Sequence, residues 1–311
     1  MRIAVLAAPE SWYARDLVRA ACGEHEIVIL PFSSIAAEIS SLNPETPEKE
    51  FFARASGFST ASISCGGRDL TDFDAVLVRT MPPGSLEQVV FRMDCLGRYE
   101  AAGGVVINPA RAVEAAVDKY LTSAKLAAAG LLTPRTVCCQ TADEALAAFE
   151  QLGGDIVLKP LFGSEGRGIT RLNDEALAER AFKMLAQLGA VLYLQEFVPH
   201  EGCDLRLLVV GERILAMRRR NPLDWRTNIS RGARAEPFTP DDELVAIARR
   251  AAAAVGAVVA GVDLLPGRDG RLYTLEVNAV PGWKALAKAH SVDVARLVLD
   301  FVAAEVCRVR G

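Results

Sequence analysis

Three side chains toward the C-terminal end carry the chemistry most readily read from this sequence: Asp263, Glu276 and Asn278. Glu276 and Asn278 stand two apart in Tyr273-Thr274-Leu275-Glu276-Val277-Asn278-Ala279-Val280-Pro281-Gly282. In a β-strand that spacing sends both to one face, with Leu275 and Val277 on the other. Upstream, Ala260 to Leu265 reads as the preceding strand and Gly267-Arg268-Asp269-Gly270 as the turn, so Asp263 is expected to face the pair across a hairpin. Three hard oxygen ligands suit magnesium, which takes few protein ligands and completes an octahedron with nucleotide phosphates and water. Manganese is the alternative ion. The competing reading is a solvated hairpin edge with incidental acids, against which the apolar flanks weigh.

A second group is basic. Lys159 closes the apolar strand Asp155 to Pro160, just ahead of the glycine-rich stretch Gly163-Ser164-Glu165-Gly166-Arg167-Gly168. Glycine lets backbone N–H groups approach phosphate oxygens, and the lysine supplies counter-charge; a flexible hairpin turn is the alternative. Asp204 and Arg206 share one face of a strand. The run Arg218-Arg219-Arg220, and the stretch Asp224 to Gly232 with Arg226, Asn228 and Arg231, offer guanidinium and amide groups for carboxylate or phosphate. Arg79 ends a strand where open α/β sheets bind ligands, and is a candidate for a substrate carboxylate; a solvated strand end is its alternative. In Gln195-Glu196-Phe197-Val198-Pro199, an extended backbone between apolar side chains could meet an adenine edge, with Glu196 and Val198 making the backbone contacts; an interdomain linker is the plainer reading.

The elements that position these groups alternate in type. Strand Ile3–Ala7, a helix from Trp12 to Cys22 and strand Ile27–Leu30 form a βαβ-type opening without G-x-G-x-x-G, which disfavours dinucleotide binding. The pattern weakens from Ser40 to Leu70, where Asn43-Pro44-Glu45-Thr46-Pro47 reads as a loop and Phe51-Phe52 as a local apolar anchor. Strand Asp74–Arg79, a helix from Ser85 to Ala102 and Val105–Pro109 complete a first α/β unit. A helix from Ala110 to Gly130 is expected to break near Asp118-Lys119. The C-terminal half turns strand-rich, α+β in character, with helices at Asp241–Val255 and Val292–Val306 as scaffolding.

The 311 residues allow about two domains. A net charge of −4 argues against bulk nucleic-acid or membrane affinity, and no apolar run reaches the roughly 18 residues of a membrane span. Seven irregularly spaced cysteines without C-x-x-C read as reduced thiols of a cytoplasmic protein. The glycine loop is not G-x-x-x-x-G-K-[ST], and the three histidines form no hydrolase triad.

Gly261-Val262-Asp263-Leu264-Leu265 followed by Leu275-Glu276-Val277-Asn278-Ala279-Val280-Pro281-Gly282 resembles the metal-binding end of the ATP-grasp ligases, in particular the RimK-like amino-acid ligases. The resemblance runs from about Asn108 to the C-terminus. It implies an ATP-grasp fold behind an N-terminal α/β domain, divided at 1–108, 109–197 and 198–311 into substrate, lid and metal-binding parts. By matching motif, Lys119 and Lys159 are expected on the nucleotide phosphates, Gly163, Ser164, Gly166 and Gly168 in the mobile loop, and Gln195, Glu196, Phe197 and Val198 at the adenine hinge. Asp204 is expected on the ribose. Arg206, Arg218, Arg226, Asn228 and Arg231 fall among phosphate and acyl-substrate contacts, and Asp263, Glu276 and Asn278 are expected to hold magnesium. The implied reaction uses ATP to convert a carboxylate to an acyl phosphate, which an amine attacks to give an amide. Glutamate addition to a small acceptor leads, and Arg79 to Glu87 is similar to a branch associated with one-carbon carrier cofactors. A protein tail as acceptor, and a nucleotide-binding regulator without turnover, are the alternatives; a dehydrogenase is remote. Family analogy further implies a homo-oligomer.

Overall fold

The computed structural model describes residues 1–39, 61–163 and 166–310. The loop at 43–47, the Phe51-Phe52 pair and Ser164 lie outside them. The first unit runs β1 (Arg2–Leu6), α1 (Trp12–Ala21), β2 (Glu26–Leu30), β3 (Ile35–Ile39), β4 (Ala61–Cys65), β5 (Arg68–Asp69), β6 (Ala75–Val78), α2 (Leu86–Ala101) and β7 (Val106–Ile107). Its parallel sheet has the order β2-β1-β6-β7, and β3-β4-β5 form a small antiparallel sheet beside it that the weak 40–70 pattern did not foretell. A capping box starts α2: Ser85 Oγ accepts the Gln88 N–H and Gln88 Oε1 accepts the Ser85 N–H.

The expected break at Asp118 is present. It separates α3 (Ala110–Val117) from α4 (Lys119–Ala128), and the Asp118 carboxylate caps α4 by accepting the Leu121 N–H at 3.0 Å. Next come β8 (Thr136–Cys139), α5 (Ala142–Gln151), β9 (Ile156–Lys159), β10 (Thr170–Leu172), α6 (Glu175–Gln187) and β11 (Leu192–Glu196), with sheet order β10-β9-β11-β8. This layer has its own core around Phe149, Ile156, Phe182 and Leu194. Helices α3 and α4, which the sequence division places with it, pack instead into the core shared by the first and third units, through Val113 and Leu126.

The third unit comprises β12 (Cys203–Val210), β13 (Arg213–Arg220), β14 (Arg234–Phe238), α7 (Asp242–Val255), β15 (Val259–Pro266), β16 (Leu272–Asn278), α8 (Lys284–His290) and α9 (Val294–Arg310), with the antiparallel order β14-β13-β12-β15-β16. One sheet face packs Leu205, Leu207 and Val209 under the alanine-rich side of α7. The other face changes chemistry along its length. Asp204 and Arg206 occupy one half of β12, whereas Leu208 and Val210 in the other half bury against α9 and β1. That change leaves a polar floor at one end of an otherwise apolar layer.

The first unit is stitched to the third by Asn108. Its Nδ2 donates to the carbonyls of Val259 (2.7 Å) and Ala279 (2.5 Å), and its Oδ1 accepts the N–H groups of Val258 (2.7 Å) and Val259 (2.8 Å). Both donors and both acceptor positions of a buried amide are thereby used.

Candidate active site

A cleft of about 690 Å³, open to solvent, lies between the second sheet and the polar half of the third. One end is apolar, lined by Val157, Ile169, Phe197, Val198, Leu265 and Leu275. The other end presents Lys159, Asp204, Arg219, Asn228, Asp263 and Glu276. A nucleotide needs this division, with a slot for a planar base and charge for its phosphates.

The hairpin is as expected: Asp263 pairs with Glu276 across β15 and β16, and Gly261 with Asn278. Leu275 departs from the expectation. The register slips between Asp263 and Leu264, so the next pair is Leu264 with Thr274, and Leu275 is the extra residue of a β-bulge. Val277 faces the α7 core as expected, but Leu275 turns to the cleft and packs near Val198, Leu265 and Tyr273. Leu275 and Glu276 therefore share one face.

A buried ion network underlies the polar end. Arg206 Nε and Nη2 each lie 2.6 Å from one oxygen of Asp263. Arg219 Nη2 lies 2.9 Å from Asp263 Oδ2, and its Nε donates to Asp204 Oδ1 at 2.7 Å. Thr227 Oγ1 closes the chain by donating to Asp204 Oδ2. Burial opposes ionisation of Asp263, but Arg206 and Arg219 together hold its carboxyl well below the usual range. For Asp204 burial wins and pushes the carboxyl up despite Arg219. Arg206 stands behind Asp263 and reaches within 3.7 Å of Glu276, tying the two acids together.

Arg219 is the residue that sequence reading passed over in favour of Arg218. Three consecutive arginines carry no phase of their own, but Gly211 and Glu212 separate paired Val210 and Arg213, and counting back from that turn sets Asp204 opposite Arg219. Arg218 consequently faces the other side of the sheet, over the Phe238 ring at 5.2 Å, away from the cleft. Thr227 was also missed.

Glu276 is the best candidate for a cation ligand. Burial and then Asp263 push its carboxyl above the usual range, and its side chain makes no hydrogen bond among the described residues. A bound divalent ion would relieve both conditions. Asn278 Oδ1 accepts the Val280 N–H at 2.8 Å and keeps one lone pair for such an ion. Asp263 already serves two arginines, so any metal would have to share its oxygens. Among the described residues no three His, Cys, Asp or Glu side chains gather as a ready-made metal cluster, in keeping with a donor set of two acids and an amide. The residues present therefore fit magnesium, with Glu276 as the leading donor.

Lys159 lines the cleft, and Lys119 stands outside its lining but feels the same Glu276. Lys159 Nζ donates to Gln195 Oε1 at 2.6 Å, and burial pushes its ammonium down to about 8 against the pull of Glu276. Lys119 Nζ donates to the Gly163 carbonyl at 2.9 Å, tying the α3–α4 junction to the glycine loop; burial lowers it too, again opposed by Glu276. Gly166 needs its lack of a side chain, because it has φ +70 and an added Cβ would stand 2.5 Å from Asn228 Oδ1. The loop thus touches the Asp224–Gly232 stretch.

At the hinge, Gln195 is turned inward, its Nε2 donating to Thr136 Oγ1 at 3.0 Å. The Glu196 N–H is taken by the Arg135 carbonyl, which leaves the Val198 N–H as the hinge donor without a partner among the described residues. Phe197 lies under the Arg171 guanidinium at 3.5 Å and edge-on to Trp225. Arg226 reaches the cleft but forks onto its neighbour Asp224, with Nη2 to Oδ2 at 2.7 Å. Arg231 is exposed on the loop and does not line the cleft. Arg79 is neither solvated nor in the cleft. It is buried at the junction of the first and third units, where burial pushes it down to about 10. No helix among the described residues is long and apolar enough to cross a membrane.

Residues 116–302 match the RimK-like ATP-grasp domain. The chain is 33% identical to a tetrahydromethanopterin:alpha-L-glutamate ligase of Methanosarcina acetivorans, over 94% of its own length and 96% of the relative's. It is 28% identical to a probable alpha-L-glutamate ligase of Photobacterium profundum, over 97% and 95% of the two chains. The solved ATP-grasp ligase PsnB, complexed with minimal precursor, Mg and ADP, aligns with a TM-score of 0.72 at 21% identity, covering 98% of this chain and 97% of that one. A RimK domain ATP-grasp protein from Sphaerobacter thermophilus aligns at 0.70 and 24% identity, covering 97% and 99%. At these identities the two structures speak for the fold.

Proposed function

Because this chain belongs to the RimK-like ATP-grasp family, an ATP-dependent family of amide-forming ligases, we propose that it joins glutamate through its amine to a carboxylate of a small cofactor precursor. ATP supplies the phosphoryl group that turns the acceptor carboxylate into an acyl phosphate, and phosphate leaves when the amine attacks. The apolar slot with the Val198 N–H receives the base, and Asp204 the ribose. Lys159 and Lys119 hold phosphate oxygens, with Gly163, Gly166 and Gly168 offering backbone groups to them. Glu276 and Asn278, with Asp263 behind them, hold magnesium, which neutralises phosphate charge; manganese is expected to substitute. Asn228 and Arg226 border the same end, where a substrate carboxylate must lie.

The observation that carries this reading is the placement of desolvated Lys159, and of Glu276 without a hydrogen bond among the described residues, at one end of an apolar slot. Such a pair makes sense around a polyphosphate with its cation. The division into a substrate unit, a lid formed by the second sheet, a metal-bearing unit, a homo-oligomeric assembly and a cytoplasmic location go with this reading.

The test is ADP release from ATP and Mg²⁺ with glutamate and candidate acceptors, followed by mass spectrometry. One glutamyl unit added to a tetrahydromethanopterin-type precursor supports the proposal. Addition to a peptide tail keeps the ligase and overturns the acceptor, and nucleotide binding with no product favours a regulator. Glu276→Gln is expected to lower turnover by about 10² or more while nucleotide binding stays measurable.

A further inference from the structure

The segment that follows Asn278 is held almost residue by residue from the first unit. Asn108 donates to the Ala279 carbonyl, Arg79 Nη2 donates to the Pro281 carbonyl at 2.7 Å, and Trp283 Nε1 donates to Asp16 Oδ2 at 2.9 Å. Between the last two, Gly282 passes so close to Tyr13 that an added Cβ would stand 2.5 Å from the phenol oxygen. The Tyr13 ring meets Trp283 edge-on, with centroids 5.1 Å apart. These four partners come from α1 and from the ends of β6 and β7, all at the carboxyl side of the parallel sheet.

Arg79 is the cationic member of the grip. It is 5% exposed, lies 4.2 Å from the centroid of the Trp283 ring, and its Nε has no hydrogen-bond partner among the described residues. No carboxylate pairs with it among those residues. A buried guanidinium without an acid is costly, so a purely structural seam would be better served by an apolar side chain.

The hydrogen bonds continue from Arg79 toward Asn278. Asn278 Oδ1 accepts the Val280 N–H, so the orientation of the carboxamide is fixed to the backbone one residue before the carbonyl that Arg79 holds. We infer that Arg79 is a positioning residue for the metal site: through Pro281 and Val280 it sets where Asn278 presents its remaining lone pair beside Glu276. The inference rests on the metal reading of Glu276 and Asn278 and extends it, since it makes the first unit part of the metal site.

A double-mutant cycle on the full-length protein tests this. Binding of Mn²⁺ with a non-hydrolysable ATP analogue is followed by electron paramagnetic resonance, and nucleotide binding in EDTA by fluorescence anisotropy. Arg79→Met is expected to weaken metal binding about tenfold, as removal of a group that orients a ligand does, with metal-free nucleotide binding unchanged. Arg79→Lys keeps a donor but not the flat stack on Trp283, and is expected to weaken it less; it carries the test if the Met variant does not fold. Asn278→Ala is expected to weaken metal binding at least as much, and the double variant no more than Asn278→Ala alone. Additive losses in the cycle, or equal losses with and without metal, overturn the positioning role and leave Arg79 as interdomain glue. If Asn278→Ala itself leaves Mn²⁺ binding intact, the metal reading fails, and the inference falls with it.

Discussion

Replacing Arg219 by Met removes the one guanidinium shared by two buried carboxylates. In the native protein its Nε lies 2.7 Å from Asp204 and its Nη2 2.9 Å from Asp263. Arg206 still grips Asp263 with both arms at 2.6 Å, so the loss falls mainly on Asp204, left with the Thr227 hydroxyl alone. Breaking a buried pair from one side costs about 3–5 kcal/mol, and Met fills most of the vacated stem, so little is added by a cavity. The cost carries a pH signature. Burial already holds the Asp204 carboxyl above its ordinary value of 3.8, and loss of Arg219 raises it further. A folded value above the unfolded one means that the penalty is absent below the unfolded value, grows as pH rises past it, and levels off above the folded value. Urea unfolding followed by tryptophan fluorescence is therefore expected to show a deficit of about 3–5 kcal/mol near pH 7.5, smaller by at least about 1 kcal/mol near pH 5. A deficit below about 1 kcal/mol near pH 7.5, or one of equal size at both pH values, refutes the picture of a dry, mutually dependent network.

Other consequences are as direct. Metal-free nucleotide binding, read by anisotropy, is expected to weaken as pH rises through about 8, where Lys159 loses its proton, and to stay flat in Lys159→Arg. Without nucleotide the sign reverses: the folded value of about 8 lies below the ordinary 10.5, so burying the ammonium costs most below 8 and the protein gains stability from there to 10.5, a gain that unfolding of Lys159→Met should lack. Gly166→Ala places a Cβ against Asn228 in left-handed backbone, and ADP release is expected to slow about tenfold with stability lowered by no more than about 2 kcal/mol. Asn108→Ala leaves four buried backbone groups without their partner; a loss of about 3 kcal/mol is expected, with faster hydrogen exchange at Val258 and Val259.

The hairpin bearing Asp263 and Glu276, the break at Asp118 and the strand ending in Lys159 were legible because each rests on local rules: alternation, a capping acid and a turn. What escaped the sequence depends on distant partners or on a broken period. Arg79 reads as an exposed strand end, since the carbonyl it serves is 202 residues away in the chain. Leu275 reads as facing away because strict alternation cannot show a bulge. Arg226 and Arg231 look alike in sequence, yet an aspartate two residues earlier claims the first, and the second stays in solvent. Arg219 could have been chosen by counting from the turn, whereas the burial of its two acids could not.

The extra residue in β16 has a consequence for what may vary. A regular strand in this register would turn either Leu275 or Glu276 to the cleft, never both. Deleting Leu275 would remove the bulge yet leave Thr274 opposite Leu264 and Tyr273, bonded to Asp269 at 2.7 Å, opposite Leu265, so the acid keeps its place and the apolar slot loses one wall residue. Leu275 is therefore an addition to the wall of the apolar slot on which the register of the rest of the hairpin does not depend. Chains that retain the site are expected to vary, or even to lack, the residue before the acid while keeping the acid itself. Exchange of one nucleobase for another can then be sought at Leu275, one peptide unit from the proposed metal ligand and independent of it.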